Sequence, residues 1–233
     1  MNQINDSRIL QGMQKQLRFR QTRLNAGEKS IGWKVGFGAP PSLDRLKLGA
    51  PLIGFLTDKT ILPSGESFSV SGWKKAAAEP EIAIYMGRDL PESPDRETTK
   101  VAIASLGPAI ELADVSFPPD DVEAILAGNI YNRNVILGRA DPSRAGCILD
   151  GLIGRIYRNE NEYAATKDPQ SMTGDIVDIV SLVANTLSMF GEKLCAGEVI
   201  ITGSIIPPLW IEPGEEIRYS LEPIDTVSIS IQG

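Results

Sequence analysis

Glu79-Pro80-Glu81-Ile82-Ala83-Ile84-Tyr85 and Pro108-Ala109-Ile110-Glu111-Leu112 are two apolar, β-branched segments that carry acids where a core strand has none. Both read as strands. In an extended chain successive side chains alternate faces, so Glu79 and Glu81 project together while Ile82 and Ile84 pack on the opposite side. Two adjacent carboxylates repel; this is harmless in water but costly under cover, where a hard divalent cation is the usual means of holding them together. Glu111 is a third acid in an apolar setting, and three oxygen ligands without histidine favour Mg²⁺ or Mn²⁺ over zinc. A solvated strand face has the same E-x-E spacing, and spacing alone does not separate the two.

Outward from these strands the chain remains β-rich. From Ile31 to Gly72, Gly, Pro and β-branched residues recur as in short strands and turns, with a domain boundary expected near Trp73. This divides the chain into an N-terminal lobe, 1–72, and a β-rich metal-binding catalytic domain, 73–233. Leu10, Met13, Leu17 and Leu24 predict an amphipathic helix opened by Asp6 or Ser7 and closed by Gly27, with Arg18, Arg20 and Arg23 on a solvated face. Pro91–Lys100 reads as a loop with a helix start, and Pro118–Leu126 as a short helix. Ile176, Val180, Val183, Leu187 and Phe190 predict a second helix ending at Gly191 in a left-handed cap. Val199–Thr202, Glu216–Leu221 and Thr226–Ile231 predict a closing antiparallel sheet. Strands outnumber helices without regular alternation, so the fold class expected is α+β.

The 233 residues hold 23 Lys+Arg against 30 Asp+Glu, a formal charge of −7, which argues against broad nucleic-acid binding. With 42% apolar and 23% charged residues the chain can build a sizeable core. It has no histidine, so Ser-His-Asp and Cys-His chemistry are excluded and acid–base work falls to Asp, Glu, Lys, Tyr or Cys. Two cysteines, Cys147 and Cys195, give no disulfide framework and suggest a reducing, cytoplasmic setting. A polar amino terminus and no run of about 18 apolar residues predict no membrane partner.

Gly32-Trp33-Lys34-Val35-Gly36-Phe37-Gly38 contains a G-x-G, but the prolines that follow do not fit a helix opening on a dinucleotide. Gly27-Glu28-Lys29-Ser30 lacks the earlier glycine of a phosphate loop. Lys34 stands in an apolar strand, where its ammonium either meets an anion or snorkels to water.

In their order, Gly32–Gly36, Glu79–Ala83, Pro108–Glu111 and Gly197–Ser204 resemble the 2-keto-4-pentenoate hydratase and 4-oxalocrotonate decarboxylase branch of the fumarylacetoacetate hydrolase superfamily. The likeness covers nearly the whole chain. It implies layered mixed β-sheets with a small N-terminal α/β lobe and a homo-oligomer. It implies Mg²⁺ or Mn²⁺ on Glu79, Glu81 and Glu111, chelating a small 2-oxo acid and stabilising its enolate. Lys34 matches the active-site lysine, offsetting the acids and moving a proton if burial lowers its pKa. Asn129, Thr202 and Gly203 match substrate-lining positions, and Ser204 a catalytic one.

Two departures bear on the reaction. Pro51-Leu52-Ile53-Gly54 replaces a Pro-Asp-aromatic-Gly stretch of the hydratases, and Gly128-Asn129-Ile130-Tyr131 replaces Asp-Asn-Ala-Ser. An apolar residue before Gly54-Phe55-Leu56-Thr57-Asp58 is similar to the decarboxylases, and the His-Glu pair of the C–C hydrolases is absent. The expectation is a divalent-metal-dependent lyase, decarboxylase or hydratase, acting on an unsaturated 2-oxo acid. The alternatives are a tautomerase or hydrolase of a 2-oxo acid, or a catalytically retired binding or assembly subunit.

Overall fold

The computed structural model describes residues 6–116 and 120–233, with thirteen strands and five α-helices among them. In chain order these are α1 (Ser7–Asn25), β1 (Ser30–Gly36), α2 (Pro40–Leu46), β2 (Leu52–Thr57), β3 (Ile61–Leu62), β4 (Ser67–Ser69) and β5 (Ala76–Met86). Then come α3 (Arg96–Ala102), β6 (Ile103–Asp114), α4 (Val122–Ala127), β7 (Asn132–Leu137), β8 (Ile153–Arg158) and β9 (Asn161–Thr166). The chain ends with α5 (Ile176–Met189), β10 (Val199–Ser204), β11 (Leu209–Trp210), β12 (Glu216–Glu222) and β13 (Asp225–Gln232).

The strands form two mixed sheets, one in the order β2-β1-β10-β5-β6-β7-β3 with β11 also on β5, the other in the order β4-β13-β12-β8-β9. The α+β class with layered mixed sheets is as expected. The 72/73 division falls between β4 and β5, and strands from both sides of it share each sheet: β1 runs parallel to β10, and β4 parallel to β13. The three C-terminal segments do not close one antiparallel sheet, because β10 enters the large sheet between β1 and β5 while β12 and β13 pair in the small one.

The apolar alternation foreseen for β5 and β6 decides which face meets the core. Ile82, Ile84, Ile110 and Leu112 join Ile217, Tyr219 and Leu221 of the small sheet and Val180, Val183 and Leu187 of α5 in the largest buried cluster. Their burial is the main stabilising term available to such a domain. Asp175 caps α5 by accepting from the Val177 and Asp178 amides. The helix ends in a Schellman motif, with Gly191 at φ +74° and the Glu192 amide donating back to Leu187 O.

α1 opens on Asp6 as expected, but its buried face is Ile9, Gly12, Met13, Gln16 and Arg20, one position off the leucine stripe. Gln16 is buried because its amide donates to Ile53 O and Leu126 O. Arg20 is buried rather than solvated; its guanidinium lies 4.9 Å from the Trp33 ring centroid and donates to Glu192 and Ser30. α2 stands where the sequence pattern predicts turn and strand; Pro40 and Pro41 suit a helix's first positions, where no N–H partner is needed. The helix foreseen at Pro118–Leu126 is α4, capped by Asp121; Pro118 and Pro119 lie outside the described residues. Among the described residues no helix is long and apolar enough to cross a membrane.

Candidate active site

On the face of β5 and β6 turned away from the largest core, the antiparallel register sets Glu79 directly opposite Glu111 and Glu81 opposite Ala109. The strand period of two thus gathers three carboxylates, each with an oxygen within 4.8 Å of one on the others. Glu81 and Glu111 are fully buried, and Glu79 is half-buried. Each is positioned differently. Glu111 Oε1 accepts from Asn132 Nδ2 at 2.7 Å, and its Oε2 lies 2.6 Å from Lys34 Nζ. Glu81 Oε2 accepts from the Gly203 amide at 2.7 Å, while Glu81 Oε1 has no hydrogen-bond partner among the described residues.

The Gly203 contact comes from an irregularity in β10 between Ile201 and Ser204, which turns a backbone N–H toward the acid. Gly203 has φ +95°, and a Cβ there would lie 2.8 Å from Thr173 Cγ2, so position and conformation both call for glycine. β1 supplies Lys34, whose stem passes Gly54 of β2; a Cβ on Gly54 would come within 2.9 Å of Lys34 Cγ. Lys34 Nζ also donates to Ile130 O at 3.2 Å. That carbonyl belongs to a 3-10 turn in which Asn129, Ile130 and Tyr131 have φ of 56°, 51° and 64°. Three successive left-handed residues, one of them β-branched, are strained and persist only where the surroundings hold them.

Asn129 does the holding: its Nδ2 donates to Phe55 O at 2.9 Å and its Oδ1 accepts from Phe55 N at 2.8 Å.

A cavity of about 480 Å³ opens on this cluster, with Lys34, Glu79, Gly203 and Ser204 in its wall and Phe37, Tyr131, Met172, Thr173 and Trp210 around them. Lys34, Glu79, Glu81, Glu111, Gly203 and Ser204 therefore come together as expected. Asn129 and Thr202, expected to line the substrate site, stand behind the wall: Asn129 is committed to Phe55, and the Thr202 hydroxyl donates to Ile82 O at 3.1 Å. Gly203 lines the cavity, but its amide hydrogen is taken by Glu81. Among the described residues the Ser204 hydroxyl makes only a long 3.4 Å contact, with Pro80 O, and keeps capacity for a ligand. Asn132, Arg45 and Lys75 were not singled out from the sequence. A polar Asn132-Arg133-Asn134 run in a strand was the one signal for the first.

Burial pushes the Glu79 carboxyl up to about 7, with repulsion from Glu111 adding and the Lys34 charge opposing. Glu81 is raised well above the usual carboxylate range for the same reasons. For Lys34 burial acts downward, but Glu111, Glu79 and Glu81 together outweigh it and hold its pKa above the ordinary value. The expected lowering by burial is thus reversed. Three carboxylates and one ammonium sum to −3 + 1 = −2 when all are ionised, which a divalent cation balances. Oxygen donors alone and the orphaned Glu81 Oε1 fit a hard cation.

A pH dependence follows. The folded Glu79 pKa lies above the unfolded 4.5, so the cation-free protein loses stability as pH rises from about 4.5 to about 7. A divalent cation must displace that proton. Apparent Mg²⁺ affinity by calorimetry is expected to rise by about tenfold or more between pH 6 and pH 8, with protons released on binding from Glu79 and from the likewise raised Glu81; a flat profile contradicts the assignment.

The model for the fumarylacetoacetate (FAA) hydrolase C-terminal region matches residues 25–232. The chain belongs to the fumarylacetoacetate hydrolase family. Within that family, 2-hydroxyhexa-2,4-dienoate hydratase of Comamonas testosteroni is 29% identical over 210 residues, covering 88% of this chain and 79% of that protein. 4-Oxalocrotonate decarboxylase of Pseudomonas putida is 24% identical over 217 residues, covering 91% and 81%. The structure of 4-oxalocrotonate decarboxylase from Pseudomonas putida G7, complexed with magnesium and adipate, superposes with a TM-score of 0.84 at 24% identity over 93% of this chain and 83% of that one. At that identity the superposition establishes the fumarylacetoacetate hydrolase fold.

Proposed function

We propose that this protein is a divalent-metal-dependent lyase acting on a small unsaturated 2-oxo acid, and that it releases CO₂ in preference to adding water. The observation that carries the reading is the cluster of half-buried Glu79 with buried Glu81 and Glu111, and of Lys34 beside them, at the wall of a cavity. Relatives named as a hydratase and as decarboxylases, and a related structure complexed with magnesium, support the metal-dependent lyase part of this reading.

Glu79, Glu81 and Glu111 would hold Mg²⁺ or Mn²⁺, which when bound supplies Lewis-acid stabilisation of negative charge developing on the 2-oxo oxygen. An ammonium has three N–H donors; Glu111 and Ile130 O take two from Lys34, leaving one for the substrate. That hydrogen aids the same charge and can protonate the departing electron pair's carbon. The Ser204 hydroxyl is placed to orient the carboxylate head. In a vinylogous 2-oxo diacid, the C–C bond to the distal carboxylate breaks and CO₂ leaves. The electron pair passes along the double bond to the 2-oxo oxygen, and a proton returned to carbon restores the 2-oxo acid.

Hydration needs a further group to direct water. Leu52 is buried in apolar packing with Leu46 and Leu48, and Tyr131 fills the cavity wall. Among the described residues Glu79 is the one carboxylate lining the cavity. Asp58 accepts from the Lys29 amide, and Asp114 is committed to the Lys74 and Lys75 amides and Arg133, so neither takes over that task.

Incubation with Mg²⁺ and either a 2-oxohexenedioate or 2-hydroxypenta-2,4-dienoate, followed by NMR, is expected to show CO₂ loss from the first outpacing hydration of the second. Efficient formation of 4-hydroxy-2-oxopentanoate overturns the preference.

A further inference from the structure

The two fully buried acids, Glu81 on β5 and Glu111 on β6, each have an outer neighbouring strand, β10 beside β5 and β7 beside β6. The register slips in both outer pairings, between Ile201 and Ser204 of β10 and between Leu112 and Ala113 of β6. Each slip delivers one donor to one acid. The first brings the Gly203 amide to Glu81 Oε2, the second Asn132 Nδ2 to Glu111 Oε1, both at 2.7 Å.

The slip between β6 and β7 also selects the residue. Leu112 pairs with Asn134, so an unbroken antiparallel ladder would set Arg133 opposite Ala113, on the face that carries Glu111. Instead Asn132 stands there, and Arg133 goes to Asp114 Oδ2 at 3.0 Å. A neutral amide thus meets Glu111 where a guanidinium would compete with a cation. Asn132 is 9% exposed, and its Oδ1 has no hydrogen-bond partner among the described residues. Filling space calls for no amide with an orphaned acceptor, so the Glu111 contact is what the residue supplies.

The oxygens left over are the inner ones. Lys34 reaches Glu111 Oε2 at 2.6 Å from β1, on the β10 side of the acids, so the two oxygens of Glu111 face opposite flanks of the sheet. Glu81 Oε1 has no partner among the described residues. We infer that Asn132 and the Gly203 amide leave each buried acid one oxygen for a cation, and that the site thereby selects Mg²⁺ or Mn²⁺ against Ca²⁺. This rests on the metal-dependent reading above. An oxygen engaged by an N–H is the poorer ligand, because donor and cation compete for its lone pairs. Mg²⁺ keeps a near-ideal octahedron, which single oxygens suit, whereas Ca²⁺ takes about six to eight oxygens and gains from carboxylates that chelate through both. Asn132 is a positioning residue, acting through Glu111.

The test is calorimetric titration of the full chain with Mg²⁺, Mn²⁺ and Ca²⁺ at one pH, beside Asn132→Leu and Asn132→Thr. Wild-type protein is expected to bind Mg²⁺ and Mn²⁺ more tightly than Ca²⁺. Asn132→Leu keeps the volume without the donor and should weaken Mg²⁺ and Mn²⁺ by about 10–100-fold, the range for losing a group that orients a ligand. Ca²⁺ should lose less, so the ratio of Mg²⁺ to Ca²⁺ affinity falls severalfold, which a change in stability alone would not produce. Asn132→Thr, which retains an O–H donor, should restore part of the ratio. Ca²⁺ bound as tightly as Mg²⁺ by the wild type, a result that needs no variant to fold, overturns the inference, as does a ratio unchanged in Asn132→Leu; in either case Mg²⁺ binding leaves the lyase reading standing. Failure of all three ions to bind overturns both.

Discussion

Glu81→Gln is expected to abolish uptake of Mg²⁺ or Mn²⁺, with a fall in affinity of ~100-fold or more, beyond the loss typical of altering a group that merely supports a ligand. Glu81 is fully buried, receives the Gly203 amide on one oxygen and leaves the other unpartnered. Glutamine keeps the volume but removes the charge, and its NH₂ either meets the Gly203 N–H donor or turns toward the site a cation would take. The same change relieves a buried acid whose pKa is pushed up, so the cation-free variant should fold at least as stably as the parent. Calorimetric titration with each ion, beside a thermal melt without it, separates the two effects. Unchanged binding in Glu81→Gln would reduce the carboxylate trio to a structural feature.

Lys34→Met is expected to lower turnover on the order of a hundredfold or more at saturating Mg²⁺, the scale for losing an acid–base group. Lys34 is 2% exposed and its ammonium lies 2.6 Å from the fully buried Glu111, so the snorkelling alternative is ruled out by geometry. Removing one partner of such a pair leaves a buried charge uncompensated, which costs about 3–5 kcal/mol where nothing else neutralises it. The variant should therefore melt lower than wild type without a divalent cation and recover much of the difference with one. Turnover near the wild-type value would leave Lys34 as a counter-ion alone.

The acidic cluster was legible in the sequence because it depends on two local rules. Alternation along a strand put Glu79 and Glu81 on one face, and the apolar neighbours of Glu111 marked a buried strand. Their meeting needed only that β5 and β6 pair, as neighbouring strands in sequence commonly do. Lys34 was legible as an ammonium among apolar residues. The parallel pairing of β1 with β10 was not, since nothing in the local pattern of either segment specifies a partner 167 residues away, as Gly32 is from Val199. Arg20 was assigned to water because helical periodicity cannot foresee that Trp33 and Glu192 will cover it.

Asn129 shows a different limit. Its position beside the site was anticipated, but an asparagine can serve a ligand or a backbone equally well. Here both ends of its amide are spent on Phe55, fixing the strained turn whose Ile130 carbonyl holds Lys34. Thr202 and Gly203 likewise act through neighbours, and that distinction lives in hydrogen-bond partners rather than in residue type. Arg45 and Lys75 carry no local signature because surface lysines and arginines are common. Only the cavity they border sets them apart.

A crystal grown with Mn²⁺ and oxalate tests the central claim most directly, since anomalous scattering locates the ion and oxalate mimics the 2-oxo acid head. The account predicts one Mn²⁺ ligated by Glu79, Glu81 and Glu111, with oxalate completing the coordination within reach of Lys34 and Ser204. An ion bound elsewhere, or oxalate seated with the three carboxylates free of metal, would contradict it.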